Sequence, residues 1–215
     1  MTTVHITGGL LAHHHACNDS LLLFEKYFPN GYRGPYGPIQ QAALLMGPFR
    51  WHMFWLWRRN LVPRYSMAGW SMHSADLSLA DLRGGADLRG VKAHHARLVG
   101  VQLDNARLNG ACLRGADLSG ASLHGATLIN ADLRGADLSG GSLCYATLTG
   151  ADLREADLGH TDIRWANLKH ARLEGALFIS APRLGVILDD SGAIRDRGLV
   201  DTELVKRGAR VARHT

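Results

Sequence analysis

From Ala86 to Ser180 an apolar residue recurs every five positions, a period that few chain geometries can use. Leucine fills sixteen of the nineteen central positions from Leu88 to Phe178, and alanine fills sixteen of the twenty positions two places earlier, from Ala86 to Ala181. An α-helix turns about 100° per residue, so five residues would scatter the leucines around the whole helix. A straight strand alternates with period two, so Leu133 and Leu138 would face opposite ways. The chain must therefore turn once in every five residues to bring each leucine back inward. Glycine stands two places after the central residue in ten of the nineteen units, where a turn needing positive φ would prefer it.

Short extended pieces joined by regular turns close into a coil, and stacked coils make a solenoid. The repeated units, such as ADLRG at 131–135 and ADLSG at 136–140, resemble the pentapeptide-repeat family, whose consensus is A(D/N)LXX. The resemblance implies an all-β solenoid, a right-handed quadrilateral β-helix with four pentapeptides per coil. Residues twenty apart would then stack, as Leu88, Leu108, Leu128, Leu148 and Leu168 do in one column. Each buried leucine is worth about 1.5–3 kcal/mol, and small alanines suit an interior on which four walls converge. An extra Gly85 between two ADLRG units predicts a bulge or start-up turn in the first coil.

A β-helix exposes unpaired strand edges at both ends and needs covers. Residues 1–74 suit a small α-helical N-terminal cap. Asn18-Asp19-Ser20 offers a helix start before Leu21, Phe24 and Phe28, and Pro38 opens a second helix. An aromatic segment, Trp51 to Trp57, then reads as apolar cover for the solenoid mouth. The solenoid is expected over 75–182, and 183–215 as a capping segment. GVILDDSGAIRD reads as a hairpin and DTELVKRGARVAR as a short basic helix. In gyrase-binding members of the family a C-terminal element joins two solenoids, so the resemblance implies a homodimer through this tail.

The net charge of +5 is unevenly spread. Residues 1–74 carry six Lys/Arg against two acids, 75–180 eleven against twelve, and 181–215 seven against five. Three widely spaced cysteines, Cys17, Cys112 and Cys144, do not suggest a disulfide framework. The first twenty residues lack a basic leader segment, and the most apolar stretch, AALLMGPFRWHMFWLW, is shorter than the ~20 residues of a membrane span. A cytoplasmic location is the expectation, with no membrane partner.

Function has to sit on outward positions, because the inward ones are committed to packing. Asp132 and Asp152 beside Arg114, Arg134 and Arg154 predict a mutually neutralised surface ladder. The next face stacks Asp117, Asp137 and Asp157 with only Ser119, Ser139 and Gly159 alongside, an uncompensated acidic stripe. The resemblance gives that stripe a meaning, because gyrase-binding members are acidic rods thought to imitate duplex DNA. DNA, however, carries a charge about every 1.7 Å, and here the repeats sum to −1. A third face exposes His124, Cys144, Tyr145, Arg164 and Trp165. Aromatics beside arginine are a common binding composition, although a C-terminal segment folding back would bury them.

No catalytic signature appears: no G-x-S-x-G, no P-loop and no Rossmann glycine pattern, and a regular rod offers flat faces rather than a cleft. No cofactor is expected. His13-His14-His15 with Cys17, and His94-His95, have no ligand spacing that converges on one ion. Direct nucleic-acid binding is not expected either. The reading is a non-enzymatic scaffold that binds a protein partner through its outer faces. The first alternative is a protein that interacts with DNA gyrase or another topoisomerase. The second is a small enzyme or metal protein using the N-terminal module.

Overall fold

Every five residues the backbone hydrogen-bonds to the chain one coil further on. Leu118 donates its N–H to the Asp137 carbonyl (2.7 Å), and the Asp137 N–H donates to the Ala116 carbonyl (3.0 Å). The same two-way exchange repeats around the coil, so parallel bridges link Cys112 to Asp132, Asp117 to Asp137, Ser122 to Ser142 and Thr127 to Thr147. Four faces, each one pentapeptide long, make up a coil. Here the faces are numbered from those four bridges in that order. Between faces the chain turns: Ala116 N–H reaches the Leu113 carbonyl at 3.0 Å, and Gly115 between them has φ of 62°.

The computed structural model describes residues 2–6, 32–36, 66–179, 185–188, 193–194 and 197–212. They fall into two units, 1–65 and 66–215. Strand β1 (Thr2–Ile6) pairs antiparallel with β2 (Tyr32–Tyr36), Thr2 opposite Tyr36 and Ile6 opposite Tyr32. The helical reading of the N-terminal module did not foresee this ladder. The helices expected after Asn18–Ser20 and Pro38, the Trp51–Trp57 segment and the leading histidines lie outside the described residues.

The solenoid is longer than its leucines indicate. Met67 already donates its N–H to the Asp87 carbonyl at 2.8 Å, so coiling is under way before the expected start at Ala75. Met67 and Met72 take the central positions there, 1% and 4% exposed, because an unbranched side chain fills the same interior. The inserted Gly85 acts where expected. Before it the bridged partners are 21 residues apart, as in Asp81 with Gln102, and after it 20 apart, as in Asp87 with Arg107. At the other end Ile187 bridges Asn167, so a rung beyond the expected limit of 182 adds to the fourth face. The five steps from Asp87 to Ile187 span about 24 Å at the usual ladder spacing.

The core is a stack of alanine and leucine layers, with Phe178 replacing leucine at its C-terminal end. Thr161, a hydroxyl at an alanine position, is buried, and its Oγ1 donates to the Leu138 carbonyl at 2.8 Å. Beyond Leu177–Ile179 (β3), the residues Val186–Ile187 (β4) pair antiparallel with Ala193–Ile194 (β5). Helix α1 (Arg197–Lys206) follows, and Arg210–Ala212 (β6) lies parallel on β3, extending the second face by one more strand. The basic stretch read as one helix thus divides at Gly208, whose φ of 79° ends α1. Arg207 ties that end to the last coil by donating Nη2 to the Leu188 carbonyl at 2.5 Å.

Candidate functional site

The aspartates of the repeat have a structural duty that precedes any binding. Asp137 Oδ1 accepts the N–H of Ser139 at 2.8 Å, and Asp157 Oδ1 that of Gly159 at 2.7 Å. Asp117 accepts both the N–H (3.1 Å) and the hydroxyl (2.7 Å) of Ser119. Asn167 and Ser142 make the same bond two residues on, to Lys169 and Cys144. A short acceptor side chain that reaches its own backbone two places ahead fastens the start of each turn. This is the physical reason the position before leucine prefers Asp or Asn.

Where arginine follows two places later, the carboxylate takes on a second duty. Arg134 donates Nε and Nη2 to Asp132 at 2.8 and 2.6 Å, and Arg154 does the same to Asp152. Arg134 also lies 3.8 Å from Asp152, and Arg172 3.5 Å from it, so the first face carries an ion-pair ladder. The side-chain hydrogen bonds from Arg134 and Arg154 hold the Asp132 and Asp152 carboxyls below the usual carboxylate range. Arg114, expected in this ladder, makes no ion pair with any described residue.

On the second face Asp117, Asp137 and Asp157 are half-buried and have no ion-pair partner among the described residues. The stripe is not wholly acidic, however. Arg97 is bridged to Asp76 on one side and to Asp117 on the other, so one cation interrupts the same column.

The corner between the third and fourth faces brings three predicted residues together. The rings of Tyr145 and Trp165 are parallel within 7°, with centroids 6.4 Å apart. His124 meets Tyr145 edge-on at 5.5 Å. Both Tyr145 and Trp165 have φ of 59°, the left-handed region that costs a bulky residue on the order of 1 kcal/mol or more. Tyr145 is 56% exposed. Trp165 is half-covered, because Gly185 of the following chain lies against its ring so closely that a Cβ there would overlap it. The expected fold-back of the C-terminal segment thus shields one ring and leaves the other open.

Arg164 is placed beside this ladder but is not free, since it grips Asp162 through Nε (2.9 Å) and Nη2 (2.6 Å). Cys144 is half-buried, and burial pushes its thiol pKa up, with Asp162 adding to the effect. A raised thiol pKa disfavours the thiolate that a nucleophile or metal ligand needs. Among the described residues no group of three or more His, Cys, Asp or Glu is placed to hold a metal ion. No described helix is long and apolar enough to cross a membrane.

Residues 85–120, 102–140 and 121–159 match the family model of pentapeptide repeats, in eight copies. No curated protein matches the chain in sequence. Among solved structures, the pentapeptide-repeat protein alr5209 from Nostoc PCC 7120 is 32% identical, over 52% of this chain and 84% of its own, with a TM-score of 0.25. Rfr23, a pentapeptide-repeat protein from the cyanobacterium Cyanothece 51142, is 23% identical over 56% of this chain and 89% of its own, with a TM-score of 0.37. QnrB1, a plasmid-mediated fluoroquinolone resistance protein, is 16% identical over 65% of this chain and 94% of its own, with a TM-score of 0.23.

Proposed function

Since the chain belongs to the pentapeptide-repeat family and its repeats form a right-handed β-helix, we propose that it is a non-enzymatic scaffold whose solenoid binds a protein partner. The contact is the corner formed by His124, Tyr145 and Trp165. The observation that carries this reading is the pair of left-handed aromatic corners in consecutive coils. Glycine would hold either corner without strain, and ten other units use it. Strain retained at a stacked pair with one open ring fits a binding role better than a packing role. Tyrosine and tryptophan also supply large contact area at little conformational cost, which is why they dominate interface hot spots.

Affinity capture from the native cell, run in parallel with wild type and Tyr145→Gly, tests the reading. A partner retained by wild type and lost by the variant, with melting temperature maintained, supports it. An identical set of retained proteins contradicts it.

A topoisomerase is a second reading of the partner, favoured by the three carboxylates on the second face that lack ion pairs among the described residues. A gyrase supercoiling assay with purified protein separates the two readings. Inhibition or drug protection lost in Asp137→Asn/Asp157→Asn would favour the topoisomerase. No effect at tens of micromolar would remove it.

A further inference from the structure

The corner where the fourth face turns into the first carries an unbalanced charge. On one rung stand Asp87, Arg89 and Lys92, and on the next Arg107 and Arg114. Four cations thus meet one acid, and Asp87 is already gripped by Arg89 through Nε and Nη2 at 2.8 and 2.9 Å. The rung below, with Ser66, Ser71 and His73, has no Lys, Arg, Asp or Glu. On the rung above, Asp132 feels the charge of Arg114, but both donors of Arg134 occupy it. Arg97, further round on the second face, lies between Asp76 and Asp117 and does not add to the excess. Lys92, Arg107 and Arg114 are exposed and make no ion pair with any described residue.

Two further features mark this corner. Lys92 and Arg107 stand before central residues, where the turn prefers a short acceptor. Each cation is therefore kept at the expense of a hydrogen bond worth about 0.5–1.5 kcal/mol. Between them the edge is bare: Gly90 and Gly110 turn the corner on the two rungs, and a Cβ on either would have nothing within 4 Å. An extended segment can come down on that edge with Arg107 on one side and Lys92 and Arg114 on the other.

We propose that this corner docks an acidic segment of a protein partner, whose carboxylates are received by Lys92, Arg107 and Arg114. Arginine forks pair with carboxylates through two parallel hydrogen bonds, and clusters of them are a recurrent way of holding acidic motifs. The contact rests on the reading of the chain as a protein-binding scaffold and adds a second surface to it. Between this corner and that of Tyr145 the fourth face presents Thr127, Ile129, Thr147 and Thr149, none of which repels an acidic segment. A nucleic-acid duplex fits less well. Three free cations fall short of the about six to ten phosphates that a strong duplex binder contacts, and no Phe, Tyr or Trp stands on these two rungs for bases to stack on.

Fluorescence anisotropy of a labelled oligoglutamate, titrated with the full chain at about 25 mM and about 500 mM salt, reads this directly. Wild type binds at low salt and releases the peptide at high salt. Lys92→Asn/Arg107→Asn removes two cations while giving each turn the acceptor that Asn167 provides elsewhere, so its melting temperature stays level or rises. Its affinity for oligoglutamate falls about tenfold or more. Lys206→Glu, the same change in net charge on α1, leaves the affinity within about twofold. No binding by wild type at low salt, or equal affinities in wild type and Lys92→Asn/Arg107→Asn, overturns the proposal. So does tighter binding of a labelled DNA duplex, which would make the corner a phosphate-backbone site. A captured partner lost by Tyr145→Gly but kept by Lys92→Asn/Arg107→Asn also overturns it, and leaves the Tyr145 reading standing. Oligoglutamate binding that Lys92→Asn/Arg107→Asn loses, beside capture that Tyr145→Gly does not change, upholds this contact and sinks that reading.

Discussion

Tyr145 lies over Trp165 with its ring parallel within 7° and its centroid 6.4 Å away, and both residues hold φ of 59°. Corner side chains in this solenoid lean towards the next coil. His95 lies over Gly115, whose Cβ would come within 2.6 Å of the imidazole, and Trp165 lies over Gly185. Tyr145 is the described corner where a bulky side chain meets another bulky one.

Replacing Tyr145 by glycine should therefore relieve strain without opening the core. The ring is 56% exposed, so little burial is lost, while the left-handed backbone becomes free of its penalty. Chemical denaturation is expected to show stability unchanged or raised by up to about 1 kcal/mol.

Gly185→Ala should act in the opposite direction. The new Cβ would overlap the Trp165 ring at a residue whose φ is 71°, so both the ring and the backbone must shift. A loss of about 1–3 kcal/mol is expected, as for other overpacked sites. Tyrosine–tryptophan energy transfer, read by fluorescence, should change with it as the parallel pair separates.

The turn-fastening role of aspartate predicts a difference between two conservative changes. Asp137→Asn keeps an oxygen to accept the Ser139 N–H and should be nearly neutral. Asp137→Ala removes it and should cost about 1 kcal/mol. Equal losses in the two variants would mean that charge, and not the turn, is what the position contributes.

Acid should weaken the rod from its first and third faces. Hydrogen bonds from Arg134, Arg154 and Arg164 depress the Asp132, Asp152 and Asp162 carboxyls below their unfolded values. A depressed carboxyl contributes stability that is present above the unfolded pKa of about 4 and lost as pH falls through the folded value. The melting temperature should be flat from about pH 5 to 8 and decline below about pH 4, less steeply in Arg134→Ala/Arg154→Ala. Those arginines are 39% and 32% exposed, so solvent screening keeps each contribution small.

The period of five was enough to place the alanines and leucines from Ala86 to Phe178 in the interior, because a turn every five residues brings each of them back inward. Where the coil starts was hidden by chemistry: Met67 and Met72 do a leucine's work in units without the Ala-Asp-Leu signature. Where it ends was hidden by overlap, since Val186 and Ile187 both pair with β5 and continue the solenoid through the Asn167 bridge. Tyr145 and Trp165 were legible as corner residues twenty apart. Their positive φ, and the cover that Gly185 gives one of them, follow from three-dimensional contacts no repeat spells out. The cations of the second coil were legible too, as Lys92, Arg97 and Arg107 at positions that otherwise favour a short acceptor. Their meaning depended on knowing that the acceptor fastens a turn, and that arginines elsewhere are held by the aspartate two places before.

On the proposed function, the Tyr145–Trp165 corner binds a protein partner and the fold does not need it. The most direct measurement is calorimetric titration of the captured partner into wild type and Tyr145→Gly, with thermal melting of both. A hot-spot corner predicts affinity reduced about 30-fold or more, the equivalent of ~2 kcal/mol, with a melting temperature that does not fall. Equal affinities, or a loss of binding that comes only with a loss of stability, would contradict it.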